Sequence, residues 1–261
     1  MTAREFKFAK RCREPAQYGD LVEHDMRGRL ELYNHIMSLV PEFEQLSQRL
    51  VHILESLHST PRILEVGSGT GLLTRSLLTI PTLRELVCVD PDEEACRALA
   101  NAEWTKDGKI ACILPRPLEE CELSGGFDAI VSRFVIHHIP DDRKCPVLQM
   151  MRKYLRRGGT VVIGDMAIPH YGSEANRPRA VARYYRSTLE IAQEIGDQML
   201  ISDQQECQRK DLDRDSEYKT CRCRTESAIE KAGFNELGRF RMRRNGGIGW
   251  PGILCLSATK K

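Results

Sequence analysis

Apolar residues along this chain of 261 residues switch between two periods. Short, nearly continuous apolar runs rich in β-branched residues mark strands buried on both faces. They span Arg62–Val66, Leu86–Asp90, Lys109–Leu114, Gly126–Ser132 and Thr160–Gly164. Between them apolar positions recur three and four apart, which predicts amphipathic helices. Leu72–Ile80 is one, stopped by Pro81. Another opens at Asp141 and Asp142 and carries Val147, Met151 and Leu155 on one face. Arg156-Arg157-Gly158-Gly159 gives that helix a basic end and a glycine stop. Strands alternating with helices predict an α/β fold around a parallel sheet.

Both flanks depart from this alternation. Glu23–Leu39 carries Met26, Leu30, Tyr33 and Met37 at helical spacing, and Phe43–Leu57 repeats the pattern with Leu46, Leu50, Ile53 and Leu57. Residues 1–58 thus read as a helical lid, with the polar and aromatic stretch Phe6–Tyr18 folding over a pocket. The remainder, 59–261, reads as one domain. After Ala167 a turn-rich stretch gives way to Val181, Tyr184, Tyr185, Thr188, Ile191, Ile195 and Met199 at helical spacing. Ser202–Tyr218 is polar, with little to bury. Together 167–222 reads as a helical cap inserted after the fifth strand. Thr225–Ala232 is a helix stopped by Gly233, and Leu237–Met242 and Ile253–Ala258 read as a hairpin around Asn245-Gly246-Gly247.

The chain is organised around Ile63-Leu64-Glu65-Val66-Gly67-Ser68-Gly69-Thr70-Gly71. Strand, glycine turn and helix form the opening unit of a nucleotide-binding α/β sheet. Its glycines let a ligand approach with no Cβ in the way. A dinucleotide fold wants G-x-G-x-x-G and a pyrophosphate at the helix N-terminus. Here the third glycine comes one residue early. Glu65 before the turn would repel a pyrophosphate but suits an ammonium group. Asp90 closes the second strand about twenty residues on, the separation of a ribose-binding carboxylate. Its competing role is to cap the helix that Pro91 and three acids open.

This stretch resembles motif I of the class I S-adenosylmethionine (SAM)-dependent methyltransferases. Arg133-Phe134-Val135-Ile136-His137-His138-Ile139-Pro140 is similar to the segment after strand four in their small-molecule members. The resemblance covers roughly 60–166 and, more loosely, 224–258. It implies a doubly wound, mostly parallel seven-stranded sheet, Rossmann-like, with an antiparallel C-terminal hairpin and helical lid additions. It also implies SAM as cofactor, S-adenosylhomocysteine as product and a small-molecule acceptor of the secondary-metabolite kind. The cofactor residues it implies are Glu65, Gly67, Ser68, Gly69, Thr70 and Gly71 at the turn, Asp90 and Pro91 at strand two, Leu118 against the adenine, and Ser132 beside the methionine moiety. Family members carry an acid just after strand three; this chain has Pro115-Arg116-Pro117-Leu118-Glu119 instead. Glu119 either supplies that acceptor one turn later or is loop filler.

Methyl transfer is an in-line displacement that needs orientation and exclusion of water. His138, and after it His137, are the candidates to take a proton; packing and loop hydrogen bonding are equally open roles. Substrate contacts fall to Tyr18, Phe134, Tyr184 and Tyr185. Asp165 either meets substrate or caps a turn. Of ten cysteines, Cys88, Cys96, Cys112 and Cys255 lie inside predicted elements, and Met1–Lys10 lacks a secretion signal. Reduced thiols and a cytoplasmic location follow as expectations. Cys221-x-Cys223, with Cys207 upstream and no histidine beside it in sequence, matches zinc spacing poorly, so no metal is expected. A net charge of +2 and no apolar run of membrane-spanning length point to neither nucleic acid nor membrane. A homodimer stays open. Arg239–Arg244 reads first as a half-exposed strand and second as an RNA patch. RNA or protein methylation is the competing class, although no Asn/Asp-Pro-Pro-aromatic motif follows strand four; a non-methylating SAM-binding protein is another.

Overall fold

The computed structural model describes residues 26–57, 61–105, 108–240 and 250–261. The apolar runs pair into one sheet of β1 (Arg62–Val66), β2 (Glu85–Asp90), β3 (Ile110–Pro115), β4 (Phe127–Arg133), β5 (Leu155–Met166), β6 (Asn235–Phe240) and β7 (Ile253–Thr259). Their order is β3-β2-β1-β4-β5-β7-β6. β1 to β5 run parallel; β7 is antiparallel to β5, and β6 to β7. Helices α1 (Met26–Leu39), α2 (Pro41–Leu57), α3 (Leu72–Leu77) and α4 (Glu93–Asn101) cover one face, where Phe43, Leu46, Leu50, Leu73, Leu77 and Leu99 meet Ile63, Cys88 and Val131. Helices α5 (Asp141–Tyr154) and α8 (Arg222–Lys231) cover the other, with Val147, Leu148, Met151 and Ile229 against Leu64, Val87 and Ile130. Two covered faces are why these strands are apolar at successive positions. Strand order reverses between β1 and β4, so a crevice opens at their carboxyl ends. No helix among the described residues is long and apolar enough to cross a membrane.

The segment predicted as a cap contains α6 (Arg177–Ile195) and α7 (Gln198–Asp213), packed side by side. Here structure and sequence pattern differ. Ser202–Tyr218 does bury side chains: Gln204, Asp211 and Glu217 are each less than a tenth exposed. The buried charges come as pairs. Arg177 donates to the Asp211 carboxylate and, at 2.7 Å, to its carbonyl, and Lys219 pairs with Glu217. Charge matched across two segments leaves no apolar periodicity for a pattern to reveal. Arg156–Gly159 is a second difference. The helix stops at Tyr154, and Leu155 already pairs with Phe127, so these residues enter β5 rather than cap a helix. The stretch Phe6–Tyr18 and the turn Asn245–Gly247 lie outside the described residues.

Candidate active site

The glycine turn leaves β1 under tight backbone control. The amides of Gly67 and Ser68 donate to the Val89 carbonyl at 2.7 and 3.2 Å, and Gly69 N donates to the Asp90 carboxylate at 2.7 Å. Gly67, Gly69 and Gly71 all have positive φ, but they are glycine for different reasons. A Cβ on Gly67 would meet Val135 at 2.1 Å, and one on Gly71 would meet Leu99 at 2.5 Å and Trp104 at 2.7 Å. A Cβ on Gly69 would meet nothing within 4 Å. Two glycines therefore serve packing, and the middle one faces open space.

Asp90 does not cap α4. Asp92 does, accepting from Glu94 N and Ala95 N at 3.0 Å each. Asp90, almost buried, instead ties the turn to the following segment, accepting from Asp92 N at 2.8 Å through its other oxygen.

Glu65 is fully buried on β1. Its Oε2 accepts from Thr74 Oγ1 at 2.7 Å, while Oε1 has no partner among the described residues. Burial pushes its pKa up to about 8, against the opposing pull of Thr74 and Arg133. Ser68 Oγ and Ser132 Oγ are likewise buried and unpartnered among the described residues. Unsatisfied buried polar atoms are costly and rare. Three of them gather at the carboxyl edge of β1 and β4, where a polar ligand can satisfy them.

Four residues near this edge escaped the sequence reading. Arg133 is buried at the end of β4, donating to Ser47 Oγ at 2.6 Å and the Phe43 carbonyl at 3.3 Å. Tyr33, on α1, hydrogen-bonds Arg133 and lies within the fields of Glu65 and Asp90; burial raises its pKa. Asn34 accepts from Thr70 Oγ1 at 2.7 Å, seating α1 on the glycine turn. Glu217 reaches in from the cap. The only local signal was the arginine closing an apolar strand, where unpaired charge is rare.

The predicted residues after β4 come together with the cap. His137 is buried; Asp165, at the end of β5, accepts from His137 Nδ1 through one oxygen and from His137 N at 3.1 Å through the other. Burial works against the Asp165 carboxylate, but His137 holds its pKa below the usual range. Asp165 also accepts from Met166 N at 2.7 Å, so it both turns the chain and fixes the histidine. Glu217 lies 3.9 Å from His137 Nε2 and 3.7 Å from His138 Nδ1. The His138 ring lies tilted against that of His137, centroids 4.0 Å apart, and its Nδ1 meets the Ser216 carbonyl at 2.9 Å. A carbonyl only accepts, so Nδ1 carries the proton and Nε2 is left as an acceptor. His138 is half exposed; the protein packed around it, then the neighbouring His137, lowers its pKa.

An arm between α7 and α8 holds Glu217 there. Tyr218 N donates to the His137 carbonyl at 2.6 Å, Lys144 Nζ to the Tyr218 carbonyl at 2.6 Å, and Arg214 pairs with Asp141 at 2.7 Å. Tyr184 and Tyr185 are fully buried in the cap, with Trp250 Nε1 donating to the Tyr184 hydroxyl at 3.3 Å and Lys219 Nζ to that of Tyr185 at 2.9 Å. Phe134 is buried against Phe43, ring centroids 4.9 Å apart, with φ of 59°. Leu118 is buried in the core of the α5 face, and Pro91 is exposed. Tyr18 lies outside the described residues.

Residues 64–161 match a family model described as a methyltransferase domain. An uncharacterized methyltransferase of Staphylococcus carnosus is 32% identical over 115 residues, 43% of this chain and 52% of that protein. One of Bacillus cereus is 27% identical over 166 residues, 63% of this chain and 70% of that protein. The alignment thus spans about half the length of the first relative. Among solved structures, magnesium protoporphyrin IX methyltransferase from Synechocystis with bound S-adenosylhomocysteine superposes with a TM-score of 0.54 at 15% identity, covering 94% of this chain and 90% of that one.

Proposed function

We propose that this chain is a class I SAM-dependent methyltransferase that transfers a methyl group from SAM to a small-molecule acceptor, a reading supported by the methyltransferase-domain match over 64–161. One observation carries the cofactor half: buried Glu65 Oε1, Ser68 Oγ and Ser132 Oγ, without partners among the described residues, near Gly69, where a Cβ would meet nothing within 4 Å. Their chemistry fits SAM, a cation with hydroxyls and no phosphate. Glu65 would take the ammonium group, and Arg133, with Tyr33, the carboxylate of the methionine part. Asp90, closing β2 beside the glycine turn, would accept the ribose hydroxyls. Gly67, Gly69, Thr70 and Gly71 would line the turn, Pro91 and Leu118 would flank the nucleoside, and Ser132 would bond the methionine moiety. When bound, SAM supplies an electrophilic methyl on a sulfonium.

The remaining steps belong to this chain's own side chains. α1, seated on Thr70 through Asn34, closes the crevice as a lid, while the cap and its arm close the side beyond β4 and β5. A closed site excludes competing water. His138 would take the acceptor's proton at Nε2; its lowered pKa keeps it neutral, hence able to accept, at physiological pH. His137, fixed by Asp165 and faced by Glu217, is the positioning residue behind it. Phe134, Tyr184 and Tyr185 would shape the acceptor side as packing walls, with Tyr18 proposed to complete the lid. Against a nucleic-acid acceptor stand the modest charge and Arg239, whose guanidinium is spent on Glu226 at 2.8 and 2.9 Å. The nine cysteines described are all free thiols, which suits a cytoplasmic enzyme.

Calorimetric titration with SAM and S-adenosylhomocysteine, followed by methyl-labelled SAM with a panel of small hydroxyl-, amine- and thiol-bearing acceptors, tests this. Binding with labelled product supports it. Binding of a dinucleotide in place of SAM overturns the cofactor half, and labelled RNA or protein alone overturns the acceptor half.

A further inference from the structure

Beyond the carboxyl end of β5, three side chains from two segments meet where the sequence showed only a C-x-C. Cys221 is buried at the N-cap of α8, and Cys223, two residues on in the first turn, is exposed. Their sulfurs are 2.9 Å apart. His170, from the loop after β5, brings Nδ1 to 3.3 Å from Cys223 Sγ. The two segments are themselves joined, by Ile168 N donating to the Thr220 carbonyl at 3.1 Å and by a bridge between Ile168 and Cys221. A cleft of about 320 Å³ opens over the cluster, lined also by Arg222, Glu226 and Arg239.

We propose that Cys221, Cys223 and His170 form a binding site for a thiophilic divalent cation, Zn²⁺ being the best match. Two thiolates and a neutral imidazole are a standard donor set for zinc, with the fourth position left to water or an incoming ligand. Tetrahedral coordination with Zn–S near 2.3 Å and Zn–N near 2.0 Å needs sulfurs about 3.8 Å apart and nitrogen about 3.5 Å from sulfur. The nitrogen is already within a few tenths of an ångström of that. The sulfurs must part by roughly 1 Å, which exposed Cys223 can supply by rotating toward the cleft. Charge balances: two thiols release two protons to solvent, and the thiolates neutralise the dication. Glu226 is not a ligand, because Arg222 at 2.7 Å and Arg239 at 2.8 Å hold its carboxylate. Bound metal would staple the loop after β5 to the first turn of α8, four residues from Glu217, and so fasten the arm that closes the acceptor side. The site stands on its own residues, whatever the acceptor is.

The test uses the full chain, purified reduced and stripped with chelator, titrated with Zn²⁺ against a chromophoric chelator and with Co²⁺ by absorption. The expected result is one equivalent per chain, a tetrahedral cobalt spectrum with sulfur-to-metal charge transfer, and a melting temperature that rises with zinc. Cys223→Ser and His170→Ala, both at exposed positions, should each weaken binding roughly tenfold or more, whereas Cys207→Ser should bind as the parent does. Parent-like binding by Cys223→Ser, no binding by the reduced parent, or a Cys221–Cys223 disulfide persisting in millimolar reduced glutathione would each overturn the proposal.

Discussion

Glu65→Gln separates a carboxyl built for a cation from one that only packs. Burial lifts the Glu65 pKa from 4.5 to about 8. A carboxyl whose folded pKa exceeds its unfolded value favours the folded state fully below the unfolded value. That contribution is lost as pH rises through the folded one. Between pH 5 and 8 the ligand-free protein should therefore lose about 3–4 kcal/mol through this group, at 1.36 kcal/mol per pH unit. Glutamine has the same shape, can still accept from Thr74 and never ionises. Urea unfolding at pH 5 and 8 should show the variant losing that much less than the parent. An ammonium ligand reverses the balance, because it needs the carboxylate. At pH 7 about nine-tenths of the carboxyl is protonated, so SAM binding should release nearly one proton, visible by calorimetry in buffers of different ionisation enthalpy. Apparent affinity should rise about tenfold from pH 6 to 7 and flatten above 8, while Glu65→Gln should bind weakly at every pH. Equal pH slopes for both proteins, or SAM binding without proton release in the parent, would refute the reasoning.

Three other substitutions probe the site. Asp90→Ala should weaken SAM by about 1.5–3 kcal/mol, a charge-assisted contact, with part of the effect coming through the freed Gly69 amide; an unchanged dissociation constant removes Asp90 from the site. Gly69→Val should leave the fold intact apart from about 1–2 kcal/mol of backbone strain yet abolish SAM binding, whereas Gly67→Ala should destabilise the protein through its 2.1 Å collision with Val135; circular dichroism and titration together separate the two. His138→Ala should lower kcat by about 10²–10⁴ with SAM affinity unchanged, and the parent's kcat should be level through neutral pH and fall only in acid. Asp165→Asn should lower kcat and leave that acid limb in place, as befits a residue acting through His137; a vanished limb would make Asp165 the base.

The strands, the glycine turn and the acids at Glu65 and Asp90 were readable from the sequence, because each is a local matter. Burial on both faces writes itself as an unbroken apolar run, a turn needs its glycines in place, and strand ends put Glu65, Asp90 and Ser132 on one edge whatever follows. Contacts that join distant segments have no such signature. Tyr33 reaching Arg133, Glu217 swung in beside His137 and His170 laid against a C-x-C pair arise from how helices and arms pack across the sheet. The cap's buried ion pairs are drawn from residues that a linear pattern assigns to solvent. Local backbone chemistry settled the glycine turn and the acids along its edge; long-range packing alone decided what surrounds His137 and His138.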